Sequence, residues 1–249
     1  RYMMARQVLK SGIPITAVSG YAAKSMADLV SRPITIVANP LPAWLRTLKK
    51  CEGSKNPSME KDLPPFVIAM VMGHWNRFKN PLPAILAFLE LEKTLSRTCE
   101  LRLYGPDFGP GGKAERLLRA ANLPLEGIKL RGRIEHRELL HEMQSASLLL
   151  HPSLTESFGM AVAEAMAIGI PIIAGRQSGG VPWLLDEGRA GQLVDVKDTK
   201  AICSAVERIF EHPVEIDAKC EVARNRVWQL ADPYATAEQY LGVYRSVLA

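Results

Sequence analysis

Hydrophobic and polar positions follow two alternating patterns from Phe66 onward. Short strand-like segments, among them the apolar run at Leu148–Leu150 that is typical of a buried strand, are each followed by a longer segment of helical period. The predicted strands are Phe66–Met72, Glu100–Tyr104, Ile128–Arg131, Leu148–His151, Ile170–Ala174 and Gly191–Val194. The predicted helices are Leu82–Leu95, Lys113–Ala121, Arg137–Ser145, Met160–Ile168, Val181–Asp186 and Thr199–Phe210. This alternation predicts an α/β fold, a Rossmann-like parallel sheet with helices on both faces.

The two ends of the chain follow other patterns. Residues 1–10 are typical of the tail of a helix, and a strand-helix-strand fragment follows that is too small to be a domain. Its elements are predicted at Ile13–Ser19, Ala22–Leu29 and Ile34–Ala38. Residues 41–65 are polar, rich in Pro and Lys and without period, which predicts a linker that is mobile around residues 53–59. Two further helices are predicted at Glu215–Leu230 and Pro233–Leu248.

Composition and charge exclude several classes of protein. The 249 residues are 47% hydrophobic and 23% charged, which is typical of a globular protein, and the formal net charge is +5. A modest positive charge suits phosphorylated ligands or an anionic membrane surface. Basic residues form no run with interleaved aromatics, so no nucleic-acid partner is predicted. No run of 18 apolar residues exists to predict a membrane-spanning helix.

Cysteine and histidine spacing gives no metal site. The four cysteines lie far apart and form no C-x-x-C pair, which favours reduced thiols in a cytoplasmic protein over a disulfide scaffold or a zinc site. The histidines share no ligand spacing and are interpreted as surface or packed residues: His136, His141, His151 and His212. The sequence therefore predicts neither a metal nor a cofactor.

The chemistry is concentrated in residues 148–174. Glu156 follows a predicted strand, at the edge where open α/β sheets bind ligands. Gly159 permits close approach of a ligand at the start of the next helix, whose free N–H groups favour an anion. Glu164 lies about five residues into that helix, or about 7.5 Å along its axis. Because carboxylates repel phosphate and accept from hydroxyls, the order hydroxyl, phosphate, hydroxyl indicates a nucleotide sugar. A glycosidase carboxylate pair needs a sugar cleft that nothing here identifies.

The segment ESFGMAVAEAMAIGIP, which runs from Glu156 to Pro171, resembles the E-x7-E motif of retaining GT4-type glycosyltransferases (glycosyl transferases group 1). The resemblance implies the GT-B fold, of which this chain supplies the C-terminal half. It implies that Glu156 contacts the donor sugar hydroxyls and that Glu164 contacts the ribose. Phe158, Gly159 and Met160, at the helix start, are then donor-binding residues.

Two other loops resemble donor-site loops of the same family. The loop from Gly73 to Asn80 is similar to the family's G-R-x(3-5)-K-G loop, in which the Arg and the Lys hold the diphosphate. Lys79 matches the Lys, His74 stands where the family usually has Arg, and Arg77 is a substitute for that Arg. Gly132-Arg133-Ile134 is similar to a G-x-[VI] turn that presents backbone groups to the base, so Arg133 and Ile134 are expected there.

The implied activity is transfer of a sugar from a nucleotide diphosphate sugar with retained configuration. Lys79 and Glu156 are the expected catalytic residues, and the nucleotide sugar is a substrate, so no cofactor is implied. Family habit further implies a carbohydrate or glycolipid acceptor, a role in polysaccharide biosynthesis and a cytoplasmic location that includes peripheral contact with the inner face of the membrane.

The resemblance divides the chain into parts and leaves alternatives open. Residues 1–40 are the expected end of an N-terminal acceptor domain, 41–65 a linker, 66–230 the donor domain and 231–249 a crossover helix. Most of the acceptor domain would precede residue 1, so the alternative is a nucleotide-sugar-binding module without activity of its own. An NAD-binding Rossmann protein is disfavoured because no G-x-G-x-x-G follows the first strand. A nucleotide-sugar epimerase is disfavoured because its donor motif is not found.

Overall fold

The computed structural model describes residues 12–30, 32–49 and 63–248. The strands are β1 (Ile15–Ala17), β2 (Ile34–Ile36), β3 (Phe66–Val71), β4 (Cys99–Tyr104), β5 (Ile128–Gly132), β6 (Leu148–His151), β7 (Ile172–Gly175) and β8 (Gln192–Val194). The α-helices are α1 (Gly20–Met26), α2 (Pro81–Thr94), α3 (Lys113–Ala120), α4 (His136–Gln144), α5 (Met160–Ile168), α6 (Val181–Leu184), α7 (Thr199–Glu211), α8 (Pro213–Ala231) and α9 (Pro233–Leu248).

The main feature is a six-stranded sheet in the order β5-β4-β3-β6-β7-β8, with every neighbouring pair parallel. The chain builds outward from β3 to β5, then returns to place β6 beside β3 and builds outward to β8. The strand order therefore reverses between β3 and β6, and the loops that follow these two strands diverge into a crevice. This sheet, with helices on both faces, confirms the fold class predicted from the sequence.

The sheet has an apolar core on each face. Successive residues of β3 alternate between them: Phe66, Ile68 and Met70 belong to one cluster, and Val67 and Ala69 to the other. A strand covered on both sides has no polar face, which explains the continuous apolar run in the sequence.

Helix α5 is also buried nearly all round. All its residues from Val162 to Ile168 are buried, and the only charged one is Glu164. An ionised carboxylate in such a position is unfavourable unless it has a partner.

Element boundaries differ from prediction where local backbone geometry intervenes. Helix α6 ends at Leu184 rather than Asp186, because Asp186 and Glu187 adopt φ of +53° and +52°. The strand predicted at Ile13–Ser19 is shorter, since β1 pairs with β2 over three residues only.

The predicted linker begins in the core. Leu41, Leu45 and Leu48 are buried, and a 3₁₀ helix over Ala43–Thr47 packs against α5. The residues predicted to be mobile, 53–59, and the predicted helical tail, 1–10, lie outside the described residues. The division into domains stays a prediction. In the described ranges, no helix combines the length and the apolar character needed to cross a bilayer.

A close contact between loops frames the crevice. Gly105 follows β4 with φ of +134°, its N–H donates to the Gly132 carbonyl, and a Cβ there would lie 1.7 Å from the Met72 carbonyl oxygen. The loops after β3, β4 and β5 therefore meet at a point that only glycine accommodates.

Gly105→Ala is expected to lower the free energy of unfolding by clearly more than about 1 kcal/mol, because it adds a steric clash to an unfavourable φ. Gly169→Ala is the matched control, since Gly169 also has positive φ (+87°) but open space around its Cβ position. Urea unfolding of both variants measures the difference. Equal losses would contradict the close approach of the loops.

Candidate functional site

The loop that follows β3 is fastened across the crevice to the loop that follows β6. The Asn80 side chain donates to the carbonyls of Pro152 (3.3 Å) and Val196 (3.0 Å). The Leu154 N–H donates to the Phe78 carbonyl at 2.7 Å. Because Asn80 itself adopts φ of +48°, a conformation that Asn tolerates well, the chain turns sharply here into α2. These bonds fix the position of the intervening Lys79.

Lys79 points at Glu156. Its Nζ donates to Glu156 Oε1 at 2.5 Å, and His151 Nε2 lies 3.3 Å from the same oxygen, an ion-pair distance without hydrogen-bond geometry. Burial opposes ionisation of Glu156, but His151 and Lys79 outweigh it and lower the pKa of Glu156 to about 2. Glu156 is therefore a carboxylate at neutral pH and accepts hydrogen bonds without donating any.

A turn with two glycines, Gly179 and Gly180, packs against the backbone of the Glu156 loop. The Gly180 N–H donates to the Glu156 carbonyl at 2.7 Å. A Cβ at Gly179 would lie 2.3 Å from that carbonyl oxygen, and one at Gly180 would lie 2.4 Å from the Ser157 carbonyl oxygen. The Ser178-Gly179-Gly180 segment thus fixes the position of the Glu156 backbone. Ser19, at the start of α1, donates to the Ser157 carbonyl at 2.5 Å.

Helix α5 presents its N-terminus to the crevice. Gly159 adopts φ of +98° and a Cβ there would lie 2.9 Å from Val181, so the helix begins abruptly at Met160. Among the described residues, no side chain caps this end and no acidic residue lies in the first turn. The N–H groups of the first turn lack partners within the helix, and the helix dipole favours an anion there. Phe158 is buried beside the ring of Trp183, with 6.4 Å between ring centroids.

Glu164 lies one turn deeper in α5 and has a different environment. Its side chain is 7% exposed, and Oε1 lies 2.8 Å from Nε2 of His136, whose side chain is 50% exposed. Burial raises the pKa of Glu164, and His136 only partly offsets this rise. The two predicted glutamates therefore differ: the partners of Glu156, Lys79 and His151, outweigh its burial, whereas for Glu164 burial outweighs the contact with His136.

The structure places other predicted residues around this centre with weaker connections. His74 is exposed and lies 3.6 Å from Asp107, whose other oxygen accepts the Trp75 N–H at 2.8 Å. The Arg77 guanidinium stacks on the ring of Phe78, 4.7 Å from its centroid. None of the hydrogen bonds or ion pairs in the described part of the chain joins His74 or Arg77 to Glu156.

The remaining predicted residues follow strands at the carboxyl edge of the sheet. Gly73 and Arg133 are exposed, Ile134 packs partly against the core, and Met160 is 37% exposed. Gly73 belongs to the same loop as Lys79. Arg133 and Ile134 follow β5, two strands from the switch between β3 and β6.

Sequence reasoning missed three polar residues of this site. His136 and His151 were interpreted as surface or packed residues, but each lies against one of the two predicted glutamates. Asp107 was not among the predicted site residues, and it holds the loop that contains His74 and Trp75. Their positions in the sequence could have indicated a place in the site, because each residue follows or ends a strand at the carboxyl edge of the sheet.

Lys79→Met is expected to lower the free energy of unfolding near neutral pH by about 1.5–3 kcal/mol, the scale of a hydrogen bond between charged groups. A carboxyl with a depressed folded-state pKa stabilises the fold above its unfolded pKa, and this contribution is lost as the pH falls from 4.5 through about 2. The difference from wild type should therefore shrink over that window in urea unfolding. Lys129→Met, at an exposed position on β5, is the control. Equal stabilities at neutral pH would contradict the pairing.

Comparisons with known proteins agree on one family. The sequence model described as Glycosyl transferases group 1 matches residues 57–226. Similar curated proteins include a D-inositol 3-phosphate glycosyltransferase of Nocardioides sp. (32% identity, 73% of this chain, 42% of the relative) and one of Corynebacterium efficiens (36%, 72% and 42%). The chain thus spans less than half the length of these relatives.

Solved structures show the same fold. Sucrose-phosphate synthase of Thermosynechococcus elongatus superposes with a TM-score of 0.78 at 23% identity, over 99% of this chain and 61% of that one. HepE of Anabaena, solved in complex with UDP-glucose, superposes with a TM-score of 0.79 at 18% identity, over 98% and 67%. The fold is that of GT-B proteins, and the chain belongs to the group 1 glycosyltransferase family.

Proposed function

We propose that this chain supplies the donor-binding half of a retaining glycosyltransferase of the GT4 type, which transfers a sugar from a nucleotide diphosphate sugar. The observation that carries the proposal is the convergence of Lys79, Glu156 and the start of α5 at the switch between β3 and β6. A cation, a carboxylate and a helix N-terminus within one crevice match the charge order of a sugar diphosphate.

The diphosphate binds between Lys79 and the first turn of α5. In the unliganded chain the Lys79 ammonium donates to Glu156. A bound diphosphate offers it stronger acceptors, and the helix N–H groups add neutral donors. Glu156, which stays ionised, then accepts from sugar hydroxyls.

The nucleoside extends from the diphosphate toward β5. Glu164 accepts from a ribose hydroxyl, and the backbone at Arg133 and Ile134 faces the base. Gly73 permits close approach of the β3 loop. Arg77 adds positive charge near the phosphates, and His74 occupies the position of the family's Arg. Phe158, Gly159 and Met160, at the start of α5, contact the diphosphate.

The chemistry rests on charge stabilisation and positioning. The bond between the anomeric carbon and the phosphate oxygen breaks, and negative charge develops on the diphosphate, where Lys79 and α5 stabilise it. The acceptor hydroxyl attacks from the face that the diphosphate leaves, which retains the configuration. Its proton passes to the departing phosphate, so the proposal requires no metal and no cofactor.

The proposed acceptor site lies outside the donor half. The acceptor is a carbohydrate or glycolipid held by an N-terminal domain, of which residues 1–40 are the end, and residues 231–249 cross back to that domain. A cytoplasmic enzyme of polysaccharide biosynthesis at the inner face of the membrane fits this acceptor class. The relatives named as D-inositol 3-phosphate glycosyltransferases support sugar transfer as the reaction.

A second function uses the same donor site. It is a nucleotide-sugar-binding module without activity of its own, the alternative that the sequence analysis left open. The two functions share the donor site and differ in turnover.

Calorimetric titration with UDP, GDP and ADP tests the donor site. We expect one of them to bind, and Glu164→Gln and Lys79→Met each to weaken it by about ten- to a hundredfold, the loss of one hydrogen bond to a charged group. Since burial raises the pKa of Glu164, the neutral amide should not destabilise the unliganded chain. Glu126→Gln, at an exposed position before β5, should bind like wild type. Binding unaffected by both site variants would place the nucleotide elsewhere.

Donor turnover separates the two functions. The substrate for this assay is a sugar nucleotide with the base that binds in the titration. If the chain is an enzyme, it should release the nucleoside diphosphate. Proton NMR of the sugar product, recorded before it can mutarotate, should then show the same anomer as the donor. Glu156→Gln, which removes the charge that accepts from the sugar, should lower the rate by about a hundredfold. Tight binding without turnover supports the binding module, and a product of opposite anomeric configuration contradicts retention.

A further inference from the structure

Burial of the Glu164 carboxyl makes its ionised form unfavourable. The carboxyl is buried in the apolar helix α5, and burial raises its pKa. A carboxyl that picks up a proton becomes a hydrogen-bond donor and loses the charge that strengthens its bonds to hydroxyls. Recognition of a ribose by Glu164 therefore needs something that keeps this side chain ionised.

His136 is placed to do this. It is the first residue of α4, and the preceding Glu135 fixes the start of that helix by accepting the Glu138 N–H at 3.1 Å. From there its Nε2 reaches Glu164 Oε1 at 2.8 Å. In the described residues, Oε2 of Glu164 has no hydrogen-bond partner. The exposed half of the His136 side chain lies between the buried carboxyl and solvent.

The charges around this pair come from few groups. Among the described residues, His136 is the one titratable or charged group that acts on the Glu164 carboxyl. Glu135 and Arg137 flank His136 on its own helix, and Glu135 interacts with both. Glu164 is the group that faces His136 from α5.

We propose that His136 is a positioning residue of the ribose subsite: by holding Oε1 it orients Glu164, keeps it ionised and leaves Oε2 for a ribose hydroxyl. This rests on the proposed donor site and deepens it, because it assigns the hydroxyl contact to a pair of residues from two helices. The ligand class is a nucleoside diphosphate with an intact ribose. A deoxyribose nucleotide leaves Oε2 without a donor.

Calorimetric titration with the nucleoside diphosphate that binds wild type, between about pH 5.5 and 8.5, tests this role over the range in which histidine charge changes. His136→Leu should weaken binding about tenfold near neutral pH, the loss of one modest hydrogen-bond contribution. Without His136 the pKa of Glu164 rises further, so affinity should recover as the pH is raised. His136→Gln, which keeps an N–H donor, should retain most of the affinity and a flatter pH profile.

Two controls restrict the effect to the ribose. With the 2′-deoxy and 3′-deoxy forms of the same nucleotide, at least one should bind wild type more weakly and be insensitive to His136→Leu. In a Glu164→Gln background, His136→Leu should cause no further loss. A carbon-13 NMR titration of the Glu164 carboxyl, performed without nucleotide, should show a higher midpoint in His136→Leu than in wild type.

The outcomes are distinct. An unchanged affinity, pH profile and carboxyl midpoint in a folded His136→Leu variant would overturn the role of His136 and leave the donor site intact. An equal loss for ribose and deoxyribose nucleotides would also overturn it. Failure of wild type to bind any of UDP, GDP or ADP would overturn the proposed donor site and the ribose role with it.

Discussion

The ion pair between Lys79 and Glu156 is the interaction on which the crevice depends. It joins two loops that leave neighbouring parallel strands in diverging directions, at the one place where the strand order reverses. Each partner is part buried, and either one alone would be a poorly solvated charge. The Asn80 bonds and the glycine pair Gly179-Gly180 serve the same end, because they fix the backbones from which the two side chains extend.

The two glutamates of the site lie eight residues apart and are tuned in opposite directions. The pKa of Glu156 falls to about 2 beside His151 and Lys79, whereas burial raises that of Glu164. A raised carboxyl pKa favours folding most at low pH, and that contribution is lost as the pH rises from the unfolded pKa toward the raised value. Near neutral pH, Glu164 therefore lowers the stability of the unliganded chain. The proposed contact with a ribose hydroxyl would relieve that loss, whereas packing alone gives no reason to keep a carboxyl at this position.

Much of the fold could be predicted from local patterns, and the cause is the parallel sheet. Strands buried on both faces, such as β3, β6 and β7, are continuous apolar runs, and each strand of the sheet before β8 is followed by a helix, so β3 to β8 are visible in the sequence. The start of the predicted linker was harder. Leu41, Leu45 and Leu48 have a spacing of four and three that packs against α5, but prolines and lysines around them hide it.

The site was predictable only in part, because its side chains meet through the fold. The positions of Glu156, Glu164 and Lys79 follow from the motifs in which they lie. The contact between His136 and Glu164 joins residues 28 positions apart on different helices, and no local pattern marks it. His151 has the spacing of an ordinary strand residue, and only the turn of the chain after β6 brings Glu156 back over it.

Trp183 shows how a departure from the family pattern changes the balance of charge at this site. The segment from Gly179 to Pro182 resembles the GG-[IV]-P-E turn of the family, and Trp183 stands where that turn has a glutamate. Its ring packs beside Phe158 and under the guanidinium of Arg226, 5.9 Å from the ring centroid. Arg226 also donates to the Trp183 carbonyl at 2.7 Å, which fastens α8 to α6 behind the start of α5. The Trp183 ring thus takes the place of an acidic side chain beside the N-terminus of α5, which is proposed to bind an anion. With one negative charge fewer at that end, the proposed diphosphate would meet less repulsion beside Lys79 and the helix dipole.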